Sequence, residues 1–284
     1  MKSQITLLCA LFFMIGSCNN GSETKETTDD TTQKMNEAEG EAPPAVSMAH
    51  SELNGVDTMT RDFITMTYGR YLDTLYGYRV GDTLTVEGDI KYVYTDGAKG
   101  AGTTHRLWTP LKGGKVTIPY TVDPNYARPA DIAAAIRLWE AKGMVDFVER
   151  TNETDYIYFV PGSSTRSYIG RVGGGQTIEL ADWARTGNIA HEMGHCMGIY
   201  HEQSRSDRDQ YVTINCPNDI NYKHAYKKDP YARDIGPYNY YSIMHYPANS
   251  CMSVIQSTPA GIPGQRDSIT VTDHATIKEI YKLR

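Results

Sequence analysis

Cysteine, phenylalanine, basic charge and long apolar runs are all in short supply. Five cysteines, at positions 9, 18, 196, 216 and 251 of 284 residues, are too few for a disulfide-dense secreted scaffold, so an apolar core must hold most of the fold. Phenylalanine occurs 5 times against 21 tyrosines, a bias that leans toward an extracellular protein. Lysine and arginine number 28 against 34 acids, a formal charge of −6 with pI near 5.8. Without a basic stripe, a nucleic-acid partner is excluded. The apolar run at residues 5–16 is too short to persist as a transmembrane helix. No internal repeat and no second catalytic motif occurs.

What the N-terminus does have is a targeting segment. Lys2 opens it, the apolar run follows, and Ile15-Gly16-Ser17-Cys18 closes it. That order reads as a bacterial lipobox, cut before Cys18. Residues 1–17 are then a lipoprotein signal peptide, and the two acyl chains carried by Cys18 suffice for stable anchoring where one is marginal. Ordinary secretory cleavage with an incidental Cys18 is the alternative. Residues 18–45 carry almost no large apolar side chain, and over 19–45 seven acids against two lysines leave −5. Such a stretch cannot bury enough surface to offset its chain entropy, and it reads as a disordered acidic tether. The expected location is a bacterial cell envelope, lipid-anchored at the outer membrane or cell surface, or secreted after processing. Cys9 leaves with the signal, so three cysteines remain beyond Cys18. Cys196 is expected to be a buried small hydrophobe. Cys216 and Cys251 are candidates for a bridge, but the sequence does not give their separation.

The most informative stretch is residues 191–201, His-Glu-Met-Gly-His-Cys-Met-Gly-Ile-Tyr-His. It fits H-E-x-x-H-x-x-G-x-x-H. His191 and His195 are four apart and share one helix face, where they can grip one ion. Gly198 permits a sharp turn, which can return His201 as a third ligand. Three imidazoles leave the fourth position of a tetrahedral zinc open, the mark of a catalytic site. Glu192, beside the first ligand, is placed to take a proton from water.

Downstream, Ser242-Ile243-Met244-His245-Tyr246 supplies a methionine followed by a tyrosine. Here the chain resembles the astacin family of zinc endopeptidases, within the metzincins. Residues 191–211, HEMGHCMGIYHEQSRSDRDQY, look like the family signature, with Glu202 after the third histidine. The resemblance implies an α+β zincin: an N-terminal subdomain with a twisted mixed sheet and two long helices, an irregular C-terminal subdomain, and the active-site cleft between them. Met244 would be the methionine-turn residue under the metal. Tyr246 would be the switch tyrosine that helps hold the oxyanion. His245 is not an expected ligand. Many relatives carry two disulfides in this domain, but the matching stretches here lack cysteine.

The resemblance also orders the rest of the chain. Residues 46–100 look like a propeptide, and Val86-Glu87-Gly88-Asp89-Ile90 matches the family's Phe-x-Gly-Asp element, with Val86 in place of the aromatic. Asp89 would bind zinc and hold the precursor latent. Without that context, Gly88-Asp89 is an ordinary turn between strands. Residues 96–104, rich in glycine and alanine and carrying Lys99, read as an exposed activation loop open to an activating protease. The catalytic domain would then run from 101 to 284. Its new ammonium would pair with Glu202.

Patterning places the elements. Residues 115–122 read as a strand. A helix should run over 129–142, with Pro129 in its first turn, Ile132, Ile136 and Trp139 on one face, and Gly143 ending it. Strands are expected at 155–160 and 168–171. Residues 176–180 should form the edge strand above the cleft, along which family structures lay the peptide substrate antiparallel. The active helix should span 186–197, and a closing helix 273–281. Protein or peptide substrates, one Zn2+ per chain and a monomer are expected. A catalytically lapsed surface zinc protein acting in adhesion or partner binding is the alternative. Glu192 and Tyr246 speak against it, because only catalysis needs the base.

Overall fold

A computed structural model describes residues 60–68, 71–80, 83–86, 88–93, 107–108, 113–216, 226–228, 233–258 and 262–283. The signal segment, the tether with Cys18 and the loop at 96–104 with Lys99 lie outside the described residues. Those described belong to one unit, Pro44–Arg284.

The chain opens with four strands, β1 (Thr60–Tyr68), β2 (Tyr71–Val80), β3 (Thr83–Val86) and β4 (Ile90–Val93). They form an antiparallel meander. Gly88, with φ +94°, makes the turn between β3 and β4, a left-handed conformation that favours glycine.

A parallel sheet follows, with β5 (Val116–Val122), β6 (Val145–Glu149), β7 (Tyr156–Pro161) and β9 (Gly175–Leu180) in the order β6-β5-β7-β9. β8 (Ser167–Tyr168) lies between β7 and β9 in the chain. Helix α1 (Pro129–Glu140) crosses between β5 and β6, burying Ile132, Ala135, Ile136 and Trp139. Gly143, at φ +66°, turns the chain out of it. Helix α2 (Thr186–Cys196) packs on α1, where the indole N–H of Trp139 donates to the Ala190 carbonyl at 2.9 Å.

β9 ends the order β6-β5-β7-β9, so residues 176–180 form an edge strand as the sequence pattern expects. One isolated bridge lies beyond it. Arg166 and Glu179 exchange both backbone hydrogen bonds, at 3.1 and 3.0 Å. The bridge leads straight into β8, the rim strand beyond β9. That rim strand is pinned to α2 by the Ser167 hydroxyl, which donates to the Glu192 carbonyl at 2.9 Å, and by the Gly170 N–H, which donates to the His195 carbonyl at 2.8 Å. On its other side β4 pairs with β8 in parallel, Ile90 opposite Ser167 and Lys91 opposite Tyr168. The mixed sheet, two helices and short elements that follow make an α+β metzincin-type fold.

The C-terminal half is mostly irregular. The two-stranded antiparallel sheet of β10 (Val212–Ile214) and β11 (Met252–Val254) is pinned by a disulfide from Cys216 to Cys251, whose Cα atoms are 4.9 Å apart. Helix α3 (Val271–Ile280) starts two residues earlier than its pattern suggests, because Thr270 and Asp273 form a capping box. Asp273 also accepts from the Ser242 hydroxyl at 2.6 Å and the Ile243 N–H at 3.2 Å. That contact ties the segment around Met244 to α3.

Candidate active site

Helix α2 delivers His191 and His195 from successive turns, both essentially without exposure. Gly198, at φ +95°, reverses the chain just past the helix. A Cβ there would meet nothing within 4 Å, so conformation alone calls for glycine. The reversal brings His201 back. Its Nε2 lies 3.1 Å from that of His195 and 3.3 Å from that of His191. Nδ1 of His191 faces the Ile243 carbonyl, and Nδ1 of His195 the Ile199 carbonyl, both at 2.8 Å. Those Nδ1 atoms therefore carry the protons, and the Nε2 lone pairs point at a common centre. Facing lone pairs repel unless a cation lies among them. Zinc–nitrogen bonds of about 2.0–2.1 Å put the nitrogens of a tetrahedron roughly 3.3–3.4 Å apart. The spacing and donor type fit zinc.

A carboxylate joins the three rings. Asp89, from the β3–β4 turn, sets Oδ2 3.3 Å from Nε2 of His201 and 3.4 Å from that of His191. Oδ1 is buried with no hydrogen-bond partner, a costly state for a polar atom unless a cation serves it. Asp89, His191, His195 and His201 are the group of possible metal donors found among the described residues.

Glu192 is buried, and its Oε2 has no partner. Burial, and then the negative charge of Asp89, push its carboxyl well above the usual range. The Tyr246 hydroxyl donates to Asp89 Oδ2 at 2.9 Å, and its ring tilts against His201 with centroids 4.3 Å apart. Met244 is fully buried beneath α2. A Cβ on Gly194 would sit 2.5 Å from its Sδ, so the glycine between the two helical histidines makes room for the methionine. His245 is packed and hydrogen-bonded, with Nε2 2.6 Å from the Tyr238 hydroxyl. Glu202 accepts from the Asn239 N–H at 2.8 Å. Burial moves its carboxyl up to about 7, against the pull of that N–H and of Arg205. It lines a cavity of about 370 Å3 with Ile199, Ser242, Asp273 and Thr276.

The sequence reading misses two parts of this site. Arg266 is largely buried, and its positive charge reaches Asp89, Glu192 and Tyr246. Its backbone packs so closely on α2 that a Cβ at Gly187 would collide with its carbonyl oxygen. The other is Lys91, on β4 two residues after Asp89 and paired with the rim strand. No local pattern marks either one.

The family model described as Astacin, a peptidase family, matches residues 103–282. This chain belongs to the astacin family. High choriolytic enzyme 1 of Oryzias latipes is 34% identical over 216 residues, covering 72% of this chain and 80% of that protein. An astacin-like metalloendopeptidase of Gallus gallus is 35% identical over 192 residues, 61% of this chain and 46% of that one. Among solved structures, High choriolytic enzyme 1, a hatching enzyme zinc-protease from Oryzias latipes, has a TM-score of 0.57 at 34% identity, covering 63% of this chain and 95% of its own. As an astacin, the protein is a zinc-dependent metalloendopeptidase that acts on proteins or peptides.

Proposed function

We propose that this endopeptidase is made as a latent precursor, with His191, His195 and His201 as zinc ligands, Glu192 as general base, Tyr246 as oxyanion donor and Asp89 as the plug. The observation that carries the reading is the Asp89 carboxylate seated among three converging imidazole nitrogens. Zinc, when bound, polarises the scissile carbonyl and makes water acidic near neutral pH. Glu192 takes the proton of the attacking water and passes it to the leaving amine. Its burial suits that shuttle, because a carboxylate with a raised pKa holds a proton better. In the precursor the Tyr246 hydroxyl is engaged by Asp89; once Asp89 departs, that donor turns to the oxyanion. Met244 and Gly198 keep the ligands in place. Residues 46–100 form the propeptide in this reading, and residues 101–284 the catalytic domain. Cleavage near residue 100 creates an ammonium whose counter-charge is Glu202, beside the 370 Å3 cavity.

Glu192→Gln keeps the shape of the side chain and removes the base. Zinc content measured by metal analysis should stay at one per chain, while kcat on a peptide substrate falls by about 10²–10⁴-fold. If more than about a tenth of kcat survives, Glu192 is not the base.

The lipobox motivates a further part of the proposal, that Cys18 carries a lipid and residues 18–45 tether the enzyme to the cell envelope. Cys18→Ala should move the protein out of the membrane fraction or stop its processing. Continued incorporation of labelled palmitate by that variant would place the lipid elsewhere.

A further inference from the structure

Lys91 follows Asp89 by two residues and lies on β4, against the rim strand. Its side chain is 2% exposed. The ammonium donates to Thr177 Oγ1 at 2.7 Å and to Glu179 Oε1 at 3.0 Å, and it lies 4.3 Å from the centre of the Tyr168 ring. A lysine gives up its hydration only where acceptors match it, and here two oxygens and an aromatic face do so. All three partners belong to the catalytic domain. Thr177 and Glu179 are alternate residues of β9, so their side chains share one face, and Tyr168 ends β8. They remain when the propeptide leaves. Glu179 is also fixed without Lys91, because the Arg166 Nε donates to its Oε2 at 2.7 Å. Arg166 thus orients the carboxylate and leaves Oε1 turned toward a second cation.

We propose that Thr177, Glu179 and Tyr168 form a substrate subsite that takes a lysine or arginine side chain, and that Lys91 occupies it in the precursor. The proposal rests on the endopeptidase reading and deepens it by naming a class of substrate side chain. A peptide that pairs with the β8 rim presents alternate side chains to one face whichever way it runs. The subsite lies about two residues, roughly 6–7 Å of strand, from the residue whose carboxylate stands among the zinc ligands. The selected basic residue therefore falls at one fixed position within about two or three residues of the scissile bond.

The test uses enzyme matured from the full-length precursor and quenched peptides that differ only by lysine or glutamine at each scanned position. At one position lysine should be favoured by about tenfold in kcat/KM, chiefly through KM, as suits a charged hydrogen bond at a partly exposed site. Glu179→Gln keeps the shape and should bring that ratio to about one. A flat profile on peptides that are cleaved, or a lysine preference that survives Glu179→Gln, overturns the subsite and leaves the peptidase standing. No cleavage of any peptide by zinc-loaded, matured enzyme overturns the endopeptidase reading and the subsite with it. Should Glu179→Gln fail to mature, Thr177→Val removes one acceptor at constant shape and should lower the ratio about two- to threefold; an unchanged ratio overturns the proposal.

Discussion

Asp89 holds the largest consequence of any single side chain here. It brings a negative charge to within 3.4 Å of two imidazole nitrogens, engages the Tyr246 hydroxyl and raises the Glu192 carboxyl. One residue therefore touches each part of the machinery assigned above. A hydrogen bond to a charged group is worth about 1.5–3 kcal/mol, which is roughly 10- to 100-fold in a binding equilibrium. Asp89→Ala should therefore raise the activity of the uncleaved precursor by about tenfold or more, or make it mature early. The measurement is a quenched-peptide assay on purified precursor with and without the substitution. Equal silence of the two would assign latency to cover by β3 and β4, with Asp89 reduced to a turn residue.

Elements whose causes are local are legible in the sequence. Pro129 and Gly143 bracket α1, and the spacing of Ile132, Ile136 and Trp139 fixes its buried face. The histidine string gives α2, and Gly198 gives the turn that returns His201. β6 carries a plain alternation, with Val145 and Phe147 buried, yet the sequence reading omits it. The edge at β9 is legible, but the rim strand beyond it is not, for a physical reason. Residues 176–180 look like an edge and do end their sheet, but what lies beyond them depends on pairing with residues elsewhere in the chain. The bridge from Arg166 to Glu179 touches that edge at one residue and carries the chain into β8, the rim strand beyond. Lys91 and Arg266 stay hidden for the same reason. Glu179 and Thr177 meet Lys91 across more than 80 residues, and Arg266 reaches the site only because Gly187 has no side chain to repel its backbone. Asp89 is legible through a short motif whose neighbours fit a known precursor pattern, not through periodicity.

On the scale of the whole molecule, the two halves are held by different means. The N-terminal half has a continuous apolar core of sheet and helices, running from Val116 and Ile118 through Trp139 to Met193. The half after His201 has short elements; it lends Ile243, Met244 and Ile277 to that core, adds a smaller cluster around Val212, Tyr238 and Met252, and is stapled besides. Arg205 donates to the Ile235 and Gly236 carbonyls and to Asp207, and Arg208 donates to the Gln203 and Tyr226 carbonyls. The disulfide from Cys216 to Cys251 closes a loop over a sequence separation of 35. Chain entropy for a loop of that length gives about 4 kcal/mol of stabilisation. At about 2–4 °C per kcal/mol for a domain of this size, replacing both cysteines with alanine should lower Tm by roughly 8–16 °C. In the catalytic domain reductant should produce a similar fall in the native protein and none in the double variant, because Cys196, the one cysteine left between residues 101 and 284, is a free thiol with no bridge to break. Cys196, the last residue of α2, is fully buried, and burial pushes its thiol up to about 12. The check is thermal unfolding of both proteins with and without reductant. An unshifted Tm in the double variant would mean that the arginine staples and α3 hold the C-terminal half without the covalent link.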